Sequence, residues 1–236
     1  LHELAVGGVG EKMLRLTELS LALVLALFCI ICGSLVATRE LAAVPPKLSA
    51  QSLAALTEAT NPTAIAGVSY SAHQGGLTLC LEALRHPNAL SLRFLDEQQK
   101  SQLDQKCADL AAALTAASPL DAHAWLVGAM AAAQQGAWQR VDADLSASQA
   151  AAPTQNWLAT IRLELGLSHL DQLGPTAIEA LEMDVGMLAG TEPGARLLSE
   201  HYVSLPAARD FIESRLETEP PLIQRRFVST VARAGQ

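Results

Sequence analysis

Residues 119–158 read PLDAHAWLVGAMAAAQQGAWQRVDADLSASQAAAPTQNWL, and the punctuation of this stretch decides the fold. Asp121 to Gln135 contains no proline, and Gly136 closes it, the residue type that ends a helix at least cost. Trp138 to Ala151 is a second uninterrupted run. Pro153 ends it, because proline lacks the N–H donor and clashes with the preceding turn. Ser118-Pro119 stops the helix before them in the same way. Two short helices joined by a glycine turn form an α-hairpin, a unit from which helical arrays are built.

The same grammar continues outward. Leu77, Cys80, Leu81 and Leu84 share one apolar face, which Gly75-Gly76 precedes as a break and His86-Pro87 ends. Asp96 and Gln99 make a capping box. The helix it opens carries Leu103, Cys107, Leu110 and Leu114 at spacings of 4, 3 and 4. On the other side, Thr154 is placed to cap a helix running to about Leu170, and Gly174-Pro175 opens another. Leu205, Ala208, Ile212 and Leu216 give a further apolar face, and Ile223, Phe227 and Val231 a last one after Pro220-Pro221. No stretch alternates with a period of two between hairpin turns, so strands are not expected. The expected class is all-α, with residues 74–236 as one helical-hairpin domain.

Pro119 and Pro153 are separated by the tetratricopeptide period of about 34 residues. With Pro153 as the terminal proline of a repeat, Trp125 falls on the repeat's tryptophan position and Gly136 on the turn between its helices. Val141 stands where alanine is usual, and Ala132 where an aromatic residue is usual. The frame shows no clear second copy on either side. One degenerate, tetratricopeptide-like repeat is the reading, and such repeats present helical surfaces to other proteins.

Composition points to a second kind of element. The 236 residues are 50% hydrophobic, 17% charged and 4% aromatic, with mean hydropathy +0.23. Disorder is excluded for most of such a chain. A net charge of −8 speaks against nucleic acid, whose phosphates call for a basic footprint. Leu19 to Thr38 is a run of 20 uncharged residues, eleven of them Leu, Val, Ile or Phe. As a helix it is about 30 Å long, the thickness of a bilayer's hydrocarbon core. A cleaved signal peptide would have a shorter core and a small-x-small site, which Leu35-Val36-Ala37 matches poorly. The expected layout is an N-terminal tail (1–18), a transmembrane helix (19–38), a tether with a short helix (39–73) and the helical domain.

In the tail, Gly7-Gly8-Val9-Gly10 has no strand before it and reads as a flexible leader. In the tether, Pro45-Pro46 stops the membrane helix, Leu48, Leu53 and Leu56 make a short amphipathic run, and Asn61-Pro62 and Gly67 break it. Lys12 and Arg15 before the span balance Arg39 and Lys47 after it. The short tail therefore decides the expected orientation: N-terminus cytoplasmic, C-terminal domain periplasmic, in a bacterial inner membrane. The alanine-rich, lysine-poor composition suits a bacterial chain. Leu1 in place of Met suggests processing, a longer product or an unusual start codon.

Ala22, Ala26, Cys29, Gly33 and Ala37 fall within an arc of about 80° on this helix. Small residues on one stripe let a second membrane helix approach closely, so they are the expected interface with an integral-membrane partner. The other reading is an accident of frequent alanine. Cys29 and Cys32 have redox-like spacing but sit mid-span, where a thiolate is desolvated and inert. Cys80 and Cys107 lie on apolar faces of consecutive helices. An antiparallel hairpin in an oxidising compartment brings them into a disulfide; otherwise they pack as small hydrophobes.

The six histidines are scattered, and none sits at metal-ligand spacing with another histidine or a cysteine. No nucleophile elbow, phosphate-cradling loop or zinc-protease motif occurs. His123 and Trp125 share a helical turn, with Trp125 expected in the core, and Arg225-Arg226 reads as a solvated face. Asp142, Asp144 and Glu164 show no partner for acid–base work. No catalytic residue, cofactor or metal is expected.

Ala122-His123-Ala124-Trp125-Leu126, Gly136, Ser148 to Pro153 and Asn156-Trp157-Leu158-Ala159 with Arg162 resemble single-pass envelope proteins of alphaproteobacteria. These are often encoded beside O-antigen or exopolysaccharide polymerase genes. The resemblance covers about a fifth of the chain. It implies an accessory role in envelope polysaccharide assembly and transfers no catalytic residue. Two function classes follow: a non-catalytic adaptor that holds a membrane partner through the span and the hairpins, or an enzyme acting on envelope glycans with a site the sequence hides.

Overall fold

The computed structural model describes residues 7–41, 49–58 and 70–234. Among these the chain forms eleven α-helices and no strand. They are α1 (Gly7–Leu41), α2 (Ala50–Glu58), α3 (Tyr70–Arg85), α4 (Glu97–Ala117), α5 (Ala122–Gln134), α6 (Trp138–Ala151), α7 (Asn156–Leu167), α8 (Pro175–Ala189), α9 (Glu192–Ser204), α10 (Arg209–Glu217) and α11 (Pro221–Ala234). Two single 3-10 turns, Leu170–Gln172 and Pro206–Ala208, lie between helices.

The 35 residues of α1 span about 52 Å. Its window Ser20–Thr38 has a mean hydropathy of 2.7, and none of it is buried against the rest of the chain. The helix begins at Gly7, so the glycine-rich run expected as a flexible leader is helical. Glycine costs about 1 kcal/mol per helical position. Extending a helix already nucleated by an apolar run is far easier than starting one, which lets it absorb that cost. Pro45-Pro46, Leu48, Asn61-Pro62 and Gly67 lie outside the described residues.

Gly75 and Gly76, expected to break the chain, are buried inside α3, which starts at Tyr70. Packing against α4 and α5 overrides their low propensity. Cys80 and Cys107 are bonded, with Cα atoms 5.5 Å apart, and tie α3 to α4 across 27 residues. Closing a loop of that size contributes about 3.5 kcal/mol on the chain-entropy account. At the start of α4 the capping box is complete: Gln99 N–H donates to Asp96 Oδ1 at 2.7 Å, and Asp96 N–H donates to Gln99 Oε1 at 3.0 Å. Leu103, Cys107, Leu110 and Leu114 are all buried, as an inward seam requires.

The helices α5 and α6 form the hairpin read from residues 119–153. Asp121 Oδ1 accepts from the N–H groups of His123 and Ala124, and Gly136 makes the turn at φ +68°. Beside it stands a second hairpin, α7–α8. Its first helix starts 34 residues after α5 starts, at Asn156 against Ala122. The 3-10 turn at Leu170–Gln172 lengthens its connection, so α8 starts 37 residues after α6. α5 lies against α7, and α6 against α8.

Thr154 does not cap α7; Gln155 holds that position without a side-chain hydrogen bond, and the helix ends at Leu167. The first turn of α8 is capped from a distance, because Asp142 of α6 accepts from Thr176 Oγ1 and, at 2.8 Å, from Ala177 N–H. The sequence reading did not separate α9, although Thr191, Glu192 and Pro193 mark its start and Thr191 caps it by accepting from Gly194 N–H at 3.1 Å. The apolar interior has two parts. One runs from Leu53 and Leu56 of α2 through α3–α6 to Leu158 and Ile161 of α7. The other joins Ala159 and Leu163 of α7 to α8–α11.

Candidate functional site

At the junction of the two hairpins a charge pair is sealed from water. Arg162 of α7 donates to Asp184 of α8 through Nε and Nη2, both at 2.7 Å, and neither side chain is exposed. Burial pushes the Asp184 carboxyl up, and the Arg162 guanidinium opposes that. Arg162 Nη1 also reaches Ser148 Oγ at 3.3 Å, so three helices share one polar node. With no access to solvent, this node can hold the hairpins in register but cannot meet a substrate.

The three acids read as having no partner for acid–base work each have a structural one. Asp142 caps α8. Asp144 accepts from Arg140 at 3.3 Å beside buried Gly128. Glu164 pairs with Arg85 at 2.6 Å, joining α7 to α3. Trp125, expected in the core, is half-buried, and its Nε1–H donates to Pro119 O at 2.8 Å. Arg226, expected in a solvated face, donates to Gly190 O at 2.7 Å.

A different place has the features of a binding site. Tyr70, Leu120 and Trp157 are 73%, 81% and 47% exposed, and all three line one cleft of about 160 Å³. Large apolar side chains gathered on a surface mark contact sites, whereas scattered ones mean little. They come from the start of α3, the turn before α5 and the first turn of α7.

The cleft wall includes a polar relay. Gln74 Nε2–H donates to Asp121 Oδ2 at 3.1 Å, which turns Gln74 Oε1 toward His123 Nδ1 at 2.8 Å. This network assigns the imidazole proton to Nδ1. Nε2 is left as a bare acceptor, buried and without a partner. Leaving such a group unpaired costs about 1–3 kcal/mol. His123 is 5% exposed, and burial pushes its pKa down to about 4 while the Asp121 charge opposes. At neutral pH the ring is therefore uncharged and can accept a hydrogen bond.

The ring of Trp157 meets that of His123 edge to face, with centroids 5.1 Å apart. Positions 123 and 157 are 34 residues apart, each near the start of the first helix of its hairpin. The sequence singled out His123 with Trp125, whereas the ring it meets in the fold is that of Trp157. Gln74, 49 residues from His123, had no local signal.

The remaining expected site residues fall as follows. Ala22, Ala26, Cys29, Gly33 and Ala37 are exposed along α1, and a Cβ built on Gly33 meets nothing within 4 Å. Cys29 and Cys32 are free. Among the described residues no group of three or more His, Cys, Asp or Glu side chains is gathered for a metal. Comparison with protein-family models, curated proteins and solved structures finds no match.

Proposed function

We propose that this protein is a membrane-anchored, non-catalytic adaptor: α1 holds it in a bacterial inner membrane, and its tetratricopeptide-like hairpins stand in the periplasm to hold an integral-membrane partner. The observation that carries the reading is the span Ser20–Thr38, apolar, long enough to cross a bilayer and unburied by its own chain. The bonded Cys80 and Cys107 support an oxidising compartment for the helical domain. The one-period offset between α5 and α7 supports the repeat reading, and repeats of this kind serve protein contact. The setting, envelope polysaccharide assembly, comes from the resemblance around Trp125 and Trp157 alone.

The stripe on α1 gives the test. Gly33 has open space around it, so a larger side chain there disturbs nothing within the chain. Ala26→Leu or Gly33→Leu would push a partner helix away, removing the close packing that holds helices together in lipid. Insertion survives, since leucine is favourable in a bilayer. Leu25→Ala lies on another face and is the control. The measurement is recovery of membrane partners with the tagged chain in mild detergent. Loss with the two stripe variants and not with the control is expected. Equal recovery from all four chains would remove the stripe from the account and leave the span as an anchor alone.

A further inference from the structure

We propose that the cleft over His123 seats one tyrosine or tryptophan side chain of a partner polypeptide, its O–H or N–H donating to His123 Nε2; this rests on the adaptor reading above. The class of occupant follows from counting what the cleft leaves unpaired. Asp121 already accepts from His123 N–H, Ala124 N–H and Gln74 Nε2–H, and the carboxamide of Gln74 is engaged at both ends. The one buried atom of the relay left with no partner is the acceptor Nε2, and the cleft's other polar side chains, Ser118 and Gln155, stand on its exposed rim. A saccharide, with a hydroxyl on nearly every carbon, would find one buried acceptor and meet only the exposed Ser118 and Gln155 beyond it. A cation would find the one carboxylate among the lining side chains committed to the relay and to the α5 cap. A single ring with a single donor matches the count.

Size and walls agree. About 160 Å³ is the space of one side chain, and Tyr70, Leu120 and Trp157 supply an aromatic and aliphatic rim. Aromatic residues with one polar handle are also the residues that dominate protein interfaces when set in such pockets. Nε2 is closed off in the free chain, with the Trp157 ring across that of His123. In this proposal the donor displaces the Trp157 ring, which is half exposed and belongs to neither buried cluster.

The experiment uses the full chain in lipid nanodiscs with nitrogen-15-labelled histidine, the His123 resonances being assigned by their loss in His123→Asn. p-Cresol, standing for the tyrosine side chain, is expected to move the Nε2 resonance saturably toward the hydrogen-bonded range. Its affinity is expected in the millimolar range ordinary for so small a ligand. Toluene, which lacks the donor, should bind about fivefold more weakly. Leu120→Ala, at a surface position, should weaken p-cresol binding without changing the melting temperature. An Nε2 resonance unmoved by p-cresol would overturn the inference, the cleft then holding water only. So would a resonance moved preferentially by methyl glucoside or by tetramethylammonium. If p-cresol fails while the stripe variants still lose their partners, this inference falls and the adaptor reading stands. If p-cresol binds and no chain recovers a partner, the adaptor reading falls and the cleft's ligand class stands.

Discussion

Replacing His123 with asparagine tests the buried relay through pH. The shorter amide side chain would keep an N–H in the place of Nδ1–H, able to donate to Gln74 Oε1, and would not titrate. In the wild-type fold burial lowers the His123 pKa from 6.5 to about 4. The unfolded chain therefore binds a proton below about pH 6.5 that the folded chain refuses until about pH 4. A histidine of this kind contributes full stability above the unfolded value and loses it as the pH falls toward the folded one. A depression of about 2.5 pH units at 1.36 kcal/mol each gives about 3 kcal/mol, lost between about pH 6.5 and about pH 4. The assay is urea unfolding of both chains followed by circular dichroism, from about pH 7.5 down to about pH 4.5. His201, lowered by burial, and Asp104, Asp144 and Asp184, raised by it, act in both chains and cancel in the difference. The stability advantage of wild type over His123→Asn should shrink by about 2–3 kcal/mol across that range. A difference independent of pH would refute the buried, neutral imidazole.

Arg162→Met leaves Asp184 buried with no counter-charge and should cost about 3–5 kcal/mol in urea unfolding. Arg162→Met combined with Asp184→Leu should recover most of that loss, because the stranded charge is gone. Gly194→Ala places a Cβ against the backbone carbonyl of Leu188, far inside contact distance, where no side chain can yield. It should cost about 3 kcal/mol. Gly136→Ala has open space around it and should cost about 1–2 kcal/mol, for its positive φ alone.

What the sequence made legible was local. The capping box at Asp96 and Gln99, the seam from Leu103 to Leu114 and the glycine turn at Gly136 each depend on neighbours within a few residues. Each stands in the fold as read. The hidden features depend on residues far apart in the chain. Thr154 has the right chemistry for a cap, yet α7 starts without it, and the neighbouring α8 is capped by Asp142 from a helix away. Gly75-Gly76 reads as a break until α4 and α5 are packed on it. Arg162 looks like any surface arginine until Asp184, 22 residues on, is folded against it. The candidate cleft was half visible: His123 and Trp157 were both noticed, but Tyr70, Gln74 and Leu120 join them only through the packing of α3, α5 and α7.

The proposed adaptor role requires that the helical domain be exported and held at the membrane, as the bonded Cys80 and Cys107 suit. Alkaline phosphatase, active only after export, is fused after Gln236, and its activity is followed through cell fractionation. An active fusion recovered with the membranes is expected if Ser20–Thr38 is retained as the proposed anchor. An active fusion released with the soluble periplasmic contents would show that the segment is a cleaved signal. A stable but inactive fusion would place the helices in the cytoplasm. Either result contradicts a membrane-anchored periplasmic adaptor.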